Sequence, residues 1–119
     1  VRGAHHRRHA AAPSAGATYS LELYVATADG LFEYQPIDHR VTHVTERDMR
    51  RNIWQASREQ DSVNAPAIFA FAAVPARSAV RYGDRAMRYV QVEIAHAGQN
   101  VLLEAMALSL GAVPVGHLR

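Results

Sequence analysis

The chain predicts an α+β fold, a mainly antiparallel sheet with a long buried central helix, as part of a larger domain. Three observations carry that expectation. Residues 19–44 alternate apolar and polar side chains in short runs separated by turn residues, the period of β-strands. Residues 67–73 form an unalternating apolar run that suits a buried strand. From about Asp84 to Leu110 there is no proline and one glycine, among abundant Ala, Leu, Met and Glu, which predicts a helix.

Taken in order, residues 1–12 show no periodicity and read as a tail or loop, and 13–119 as one partial domain. Pro13-Ser14-Ala15-Gly16-Ala17 is a loop of small residues. Tyr19, Leu21, Leu23 and Val25 then alternate with Ser20, Glu22, Tyr24 and Ala26 as a first strand. Asp29-Gly30 is a two-residue hairpin signal, leading to a strand from Leu31 to Gln35 that Pro36 closes. Asp38-His39 turns the chain into a third strand, Val41 to Val44. Thr45-Glu46-Arg47-Asp48 has the spacing of a capping box and predicts a helix to about Glu59, with Met49, Ile53 and Trp54 as its apolar stripe. After a loop at 60–66, the run Ala67 to Ala73 predicts a buried central strand. Pro75 ends it, and a short helix to Gly83 follows.

The last helix is apolar on two faces. Met87, Val90, Ile94, Val101, Leu102, Ala105 and Leu108 make one, and Val92, Leu103, Met106 and Leu110 the other. Such a helix is expected to be buried in a large core or an oligomer interface. Its length of roughly 40 Å exceeds what so short a chain covers well. Gly111 is a natural C-terminal cap, and Ala112-Val113-Pro114-Val115 predicts one more strand. A strand and glycine turn at the very end, and a loop at the start, suggest that the domain continues on both sides.

Composition narrows the function classes. The hydrophobic fraction of 49% with 20% charged residues is that of a globular chain. Thirteen arginines, no lysine and 11 acidic residues give a net charge of +2, scattered without a basic stripe, so no nucleic-acid partner is expected. The chain has no cysteine, which excludes disulfides, thiolate catalysis and sulfur-ligated metals. No apolar run suits a membrane span and no signal-peptide core is visible, so a cytoplasmic protein is expected. His5, His6 and His9 have zinc-like spacing. They lie in a tail without a carboxylate partner, and no metal site is expected.

Three segments resemble the SagB-type branch of the nitroreductase family. Residues Pro13-Ser14-Ala15-Gly16-Ala17-Thr18-Tyr19-Ser20-Leu21-Glu22-Leu23-Tyr24 are similar to its PSAGA-x-YPLELY segment, with Ser20 in place of the usual proline. Arg81-Tyr82-Gly83, Arg88-Tyr89 and Glu93-Ile94-Ala95-His96-Ala97-Gly98-Gln99-Asn100 resemble its RYG…RY…E-x-GH-x-x-QN helix. Ala112-Val113-Pro114-Val115-Gly116 is similar to its PVG turn, with His117-Leu118 where Ala or Gly followed by Phe is usual.

The resemblance implies a nitroreductase-like fold, an FMN cofactor between the subunits of a homodimer, and hydride transfer to a small-molecule or peptide substrate. In the SagB branch that substrate is a thiazoline or oxazoline ring. It also implies cofactor contacts from Pro13, Ser14, Ala15 and Gly16, from Gln60, and from Pro114, Val115, Gly116 and His117. Short side chains let backbone amides and the Ser14 hydroxyl approach ribityl and ring oxygens. The Val115-Gly116-His117 turn would present amides to the ring edge. The family's phosphate-binding cations are not evident, with Arg7, Arg8 and Arg119 as stand-ins. No catalytic residue is assigned. Glu93, His96 and Asn100 share a helix face, as a proton relay or as a buried network at a dimer interface. Two other functions fit the same resemblance: an NAD(P)H-dependent nitro or quinone reductase, and a truncated, non-catalytic interaction subunit.

Overall fold

The computed structural model describes residues 14–58 and 65–116. They form four strands and three α-helices: β1 Leu21–Thr27, β2 Gly30–Gln35, β3 Arg40–Thr45, α1 Arg50–Ala56, β4 Ile68–Ala73, α2 Pro75–Tyr82 and α3 Ala86–Ala107. The strands make one sheet in the order β3-β2-β1-β4, with β1–β2 and β2–β3 antiparallel. The chain divides into two compact units, one of residues 1–22 and 71–112, the other of residues 23–70 and 113–119. The tail expected at residues 1–12 lies outside the described residues.

The second unit is built on the hairpin and β3. Thr27 pairs with Gly30, so the two-residue turn is Ala28-Asp29, one position earlier than the Asp-Gly signal suggested. Gly30 serves a different purpose. Its φ is +140°, and a Cβ there would sit 2.3 Å from the Thr45 carbonyl oxygen and 2.7 Å from His43 Nε2. Glycine lets β3 cross close to the start of β2. The Phe32 and His43 rings then stack at 4.4 Å between centroids across the pair.

The helix after β3 departs from expectation. Thr45 is still paired with Leu31 as the last residue of β3, so it cannot cap a helix that starts five residues on, at Arg50. Its hydroxyl accepts the Arg47 amide at 3.2 Å instead. Asp48 takes over the turn, accepting the Arg50 amide at 3.1 Å and pairing with the Arg50 guanidinium at 2.7 Å. Helix α1 therefore starts at Arg50, and ends at Ala56 where Ser57 donates to the Trp54 carbonyl and Arg58 takes a left-handed φ of +60°. The Arg51 guanidinium lies 5.7 Å from the Trp54 ring.

Strand β4 forms where the apolar run predicted it, but at the edge of the sheet order and not as a buried central strand. Phe69 on this strand is 52% exposed.

The first unit packs α2 against α3. Its buried side chains include Ser20, Ser78, Ala86, Val90 and Glu93. Val74 donates its amide to the Ser20 carbonyl at 2.6 Å, fixing the entry to α2, and Pro75 occupies the first turn without losing a bond. Tyr82 and Tyr89 meet edge to face at 4.7 Å, joining the end of α2 to the first turns of α3. Among the described residues the Ser78 hydroxyl is buried without a partner, at a cost of about 1–3 kcal/mol.

The long helix forms with shorter ends than predicted. A 3₁₀ turn, Gly83–Arg85, precedes it. Ser109, not Gly111, supplies the left-handed residue that stops it, with φ +59°. The Leu110 amide closes the end on the Ala105 carbonyl at 2.8 Å, a Schellman pattern. The helix is not buried all round: Val92, Leu103 and Met106 are 48%, 56% and 76% exposed. Residues 111–116 form no strand, contrary to the expectation for Ala112 to Val115.

Candidate functional site

The first unit contains a cavity of about 220 Å³ lined by Ser14, Ala15, Tyr89, Val92, Glu93 and His96. Two elements supply these groups. Tyr89, Val92, Glu93 and His96 follow a three- and four-residue spacing, so they share one face of α3. Ser14 and Ala15 come from the small-residue loop, whose Ala15–Ala17 segment is a single 3₁₀ turn.

That loop is strained. Gly16, Ala17 and Tyr19 have φ of +61°, +52° and +46°. For a residue with a side chain this costs roughly 1–2 kcal/mol. The conformation persists because neighbouring groups over-determine it. The Ser14 hydroxyl accepts the Tyr19 amide at 2.9 Å and donates to Glu93 Oε1 at 2.5 Å. Arg77 donates to the Tyr19 carbonyl at 3.1 Å and pairs with Glu22. A Cβ on Gly16 would lie 2.7 Å from the Tyr82 hydroxyl and 2.8 Å from Arg81 Cδ. The glycine thus answers two demands, backbone and space.

Glu93 is 6% exposed and reaches back across 79 residues to Ser14. A hydrogen bond to a charged acceptor contributes about 1.5–3 kcal/mol, enough to offset one or two left-handed residues. His96 lines the cavity but stays exposed, and Asn100 is half-buried one turn further along. Arg85 sits 5.8 Å from both the Tyr82 and Tyr89 rings, and Arg81 5.8 Å from Tyr82.

Ser14 and Ala15 therefore gather on α3 within the first unit, while Gly16 lies against Arg81 and Tyr82 of α2. Pro114, Val115 and Gly116 belong to the second, in irregular chain, with Val115 half-buried and its neighbours exposed. Pro13, Gln60 and His117 lie outside the described residues, as do Arg7, Arg8, Arg119 and the N-terminal histidines. No group of three or more His, Cys, Asp or Glu among the described residues could hold a metal. No described helix is long and apolar enough to cross a membrane. The sequence marks Tyr89 only as part of the Arg88-Tyr89 motif and Val92 only as an apolar face position, and assigns neither to a site. The signal that could have found them was their spacing from Glu93 and His96.

Known proteins bear on this geometry. The sequence pattern described as Nitroreductase family matches residues 2–119. A Methanocaldococcus jannaschii protein named "Putative nitroreductase MJ1384" is 39% identical over 111 residues, 87% of this chain and 56% of that protein. A crystal structure titled as a putative nitroreductase from Anabaena variabilis superposes with a TM-score of 0.75 at 33% identity. That match covers 79% of this chain and 21% of the other. The chain thus spans little more than half of the first relative and about a fifth of the second. With the antiparallel ordering of β1 to β3 and the long α3, the α+β fold is nitroreductase-like, and the chain belongs to the nitroreductase family.

Proposed function

We propose that this chain is the flavin-binding part of an FMN-dependent oxidoreductase, a SagB-type dehydrogenase working as a homodimer in the cytoplasm. The observation that carries the reading is the meeting of two segments at one cavity. The Pro-Ser-Ala-Gly loop and the Arg-Tyr…Glu…His helix, far apart in sequence, supply all of its lining residues.

The lining suits a flavin in kind. Ser14 and Ala15 leave backbone approachable, Tyr89 and Val92 offer an aromatic and an apolar wall, and Glu93 and His96 supply polar partners. At about 220 Å³ the cavity is below the roughly 300–1,000 Å³ of a whole small-molecule site. It admits one edge of a fused-ring system. FMN, when bound, supplies hydride transfer between a donor and a substrate. The chain's own part is to position the ring and to set the hydrogen bonds at its edge. Pro114, Val115 and Gly116 are proposed contacts for another part of the cofactor, with Pro13, Gln60 and His117.

Titration of the purified chain with FMN tests the reading. A yellow protein with one bound flavin per chain is expected. A colourless protein that cannot be loaded would overturn it, and would favour the non-catalytic interaction subunit. A second reading on the same cofactor is NAD(P)H-dependent reduction of nitro compounds or quinones, and the names of both relatives, each a putative nitroreductase, favour its nitro substrates. Turnover on an azoline peptide against a nitro and quinone panel separates the two.

A further inference from the structure

The hydrogen bond between Ser14 and Glu93 fixes more than the loop. A serine hydroxyl has one proton and two lone pairs. Glu93 takes the proton and the Tyr19 amide takes one lone pair. All that the Ser14 hydroxyl still offers to the cavity is its second lone pair. Glu93 lines the same cavity and, ionised, is an acceptor only. Two adjacent lining groups from different elements therefore present acceptors at one place.

We infer that Glu93 is a positioning residue that makes this cavity select for a ligand group bearing an N–H or O–H donor. This reverses the expectation that Ser14 would donate to a ring or ribityl oxygen. An oxygen acceptor placed against the Ser14 side chain would face a hydroxyl lone pair and a carboxylate with no proton between them. On the flavin reading proposed above, on which the choice of probe rests, such donors are the ring N3–H and the ribityl hydroxyls. Tyr89 and His96 can each donate or accept, so they leave the preference set by Ser14 and Glu93.

The test compares FMN with two analogues, one methylated at ring N3 and one lacking the ribityl 2′-hydroxyl. In the unaltered chain at least one analogue is expected to bind about tenfold more weakly, the effect of one buried acceptor left unpaired. In Ser14→Ala the difference should shrink, because the Glu93 carboxylate then remains without the serine oxygen beside it, and Ser14→Thr should restore it. Glu93→Gln should narrow it, because a glutamine amide can donate to Ser14 and free the hydroxyl proton. Analogues that bind as FMN does, or a difference left unchanged by both Ser14→Ala and Glu93→Gln, would overturn the inference. Should no flavin bind at all, the flavin reading fails, and NMR of the ligand-free chain decides the inference alone. A slowly exchanging, downfield Ser14 hydroxyl proton that moves upfield in Glu93→Gln is expected; its absence refutes the assignment.

Discussion

Ser14, Gly16 and Glu93 show how far single residues could be read in advance. The small-residue loop was visible as a turn because Pro, Ser and Gly are turn formers for separate physical reasons. Its partner was not, because Glu93 is 79 residues away and no local pattern links a serine to a distant carboxylate. Gly16 carries the sharpest expectation. Gly16→Ala adds a Cβ within 3 Å of both Tyr82 and Arg81 at a left-handed φ, and should cost about 1–3 kcal/mol in denaturant unfolding. Asp48 gives a test in pH. Its carboxyl is held at about 2 from an ordinary 3.8, chiefly by the hydrogen bonds from Arg50. The folded value lies below the unfolded one, so its contribution is present above about pH 4 and lost as pH falls toward 2. An NMR titration of the Asp48 side-chain carboxyl should give that depressed midpoint, and Arg50→Gln should return it toward 3.8.

Among the elements, those with a strong local signal were legible and their ends were not. Alternation placed β1, β2 and β3, but the turn fell on Ala28-Asp29 because Gly30 was needed where β3 approaches. The capping box at Thr45 failed because sheet pairing with Leu31 claimed that residue first. Tertiary pairing outweighed a local preference worth about 1 kcal/mol. Helix α3 was visible from composition, and its doubly apolar character was real, but this chain buries only part of it. Val92, Leu103 and Met106 lie on a single exposed stripe of α3, Leu103 about three turns after Val92 and Met106 about one turn further. On the proposed homodimer this stripe is covered by a second copy. Leu103→Glu with Met106→Glu should then shift sedimentation from dimer to monomer. Because both side chains are already more than half exposed, unfolding of the monomer should change by less than about 0.5 kcal/mol.

At the scale of the whole molecule, the two units divide the chemistry unequally. The cavity and its strained loop belong entirely to the first, while the hairpin, α1 and the Pro114-Val115-Gly116 segment belong to the second. Fold class was readable because periodicity reports on element type. The division into units was not, since it depends on which distant segments pack together. It has a spectroscopic consequence. The chain's single tryptophan, Trp54, sits on α1 in the second unit, whereas Tyr19, Tyr82 and Tyr89 sit in the first. Indole emission is therefore a built-in reporter for one unit, and tyrosine signals mix both. If the units melt separately, tryptophan fluorescence and helix ellipticity, which α3 dominates, will trace transitions that do not coincide. Coincident curves would mean that a chain with two packing centres still unfolds as one.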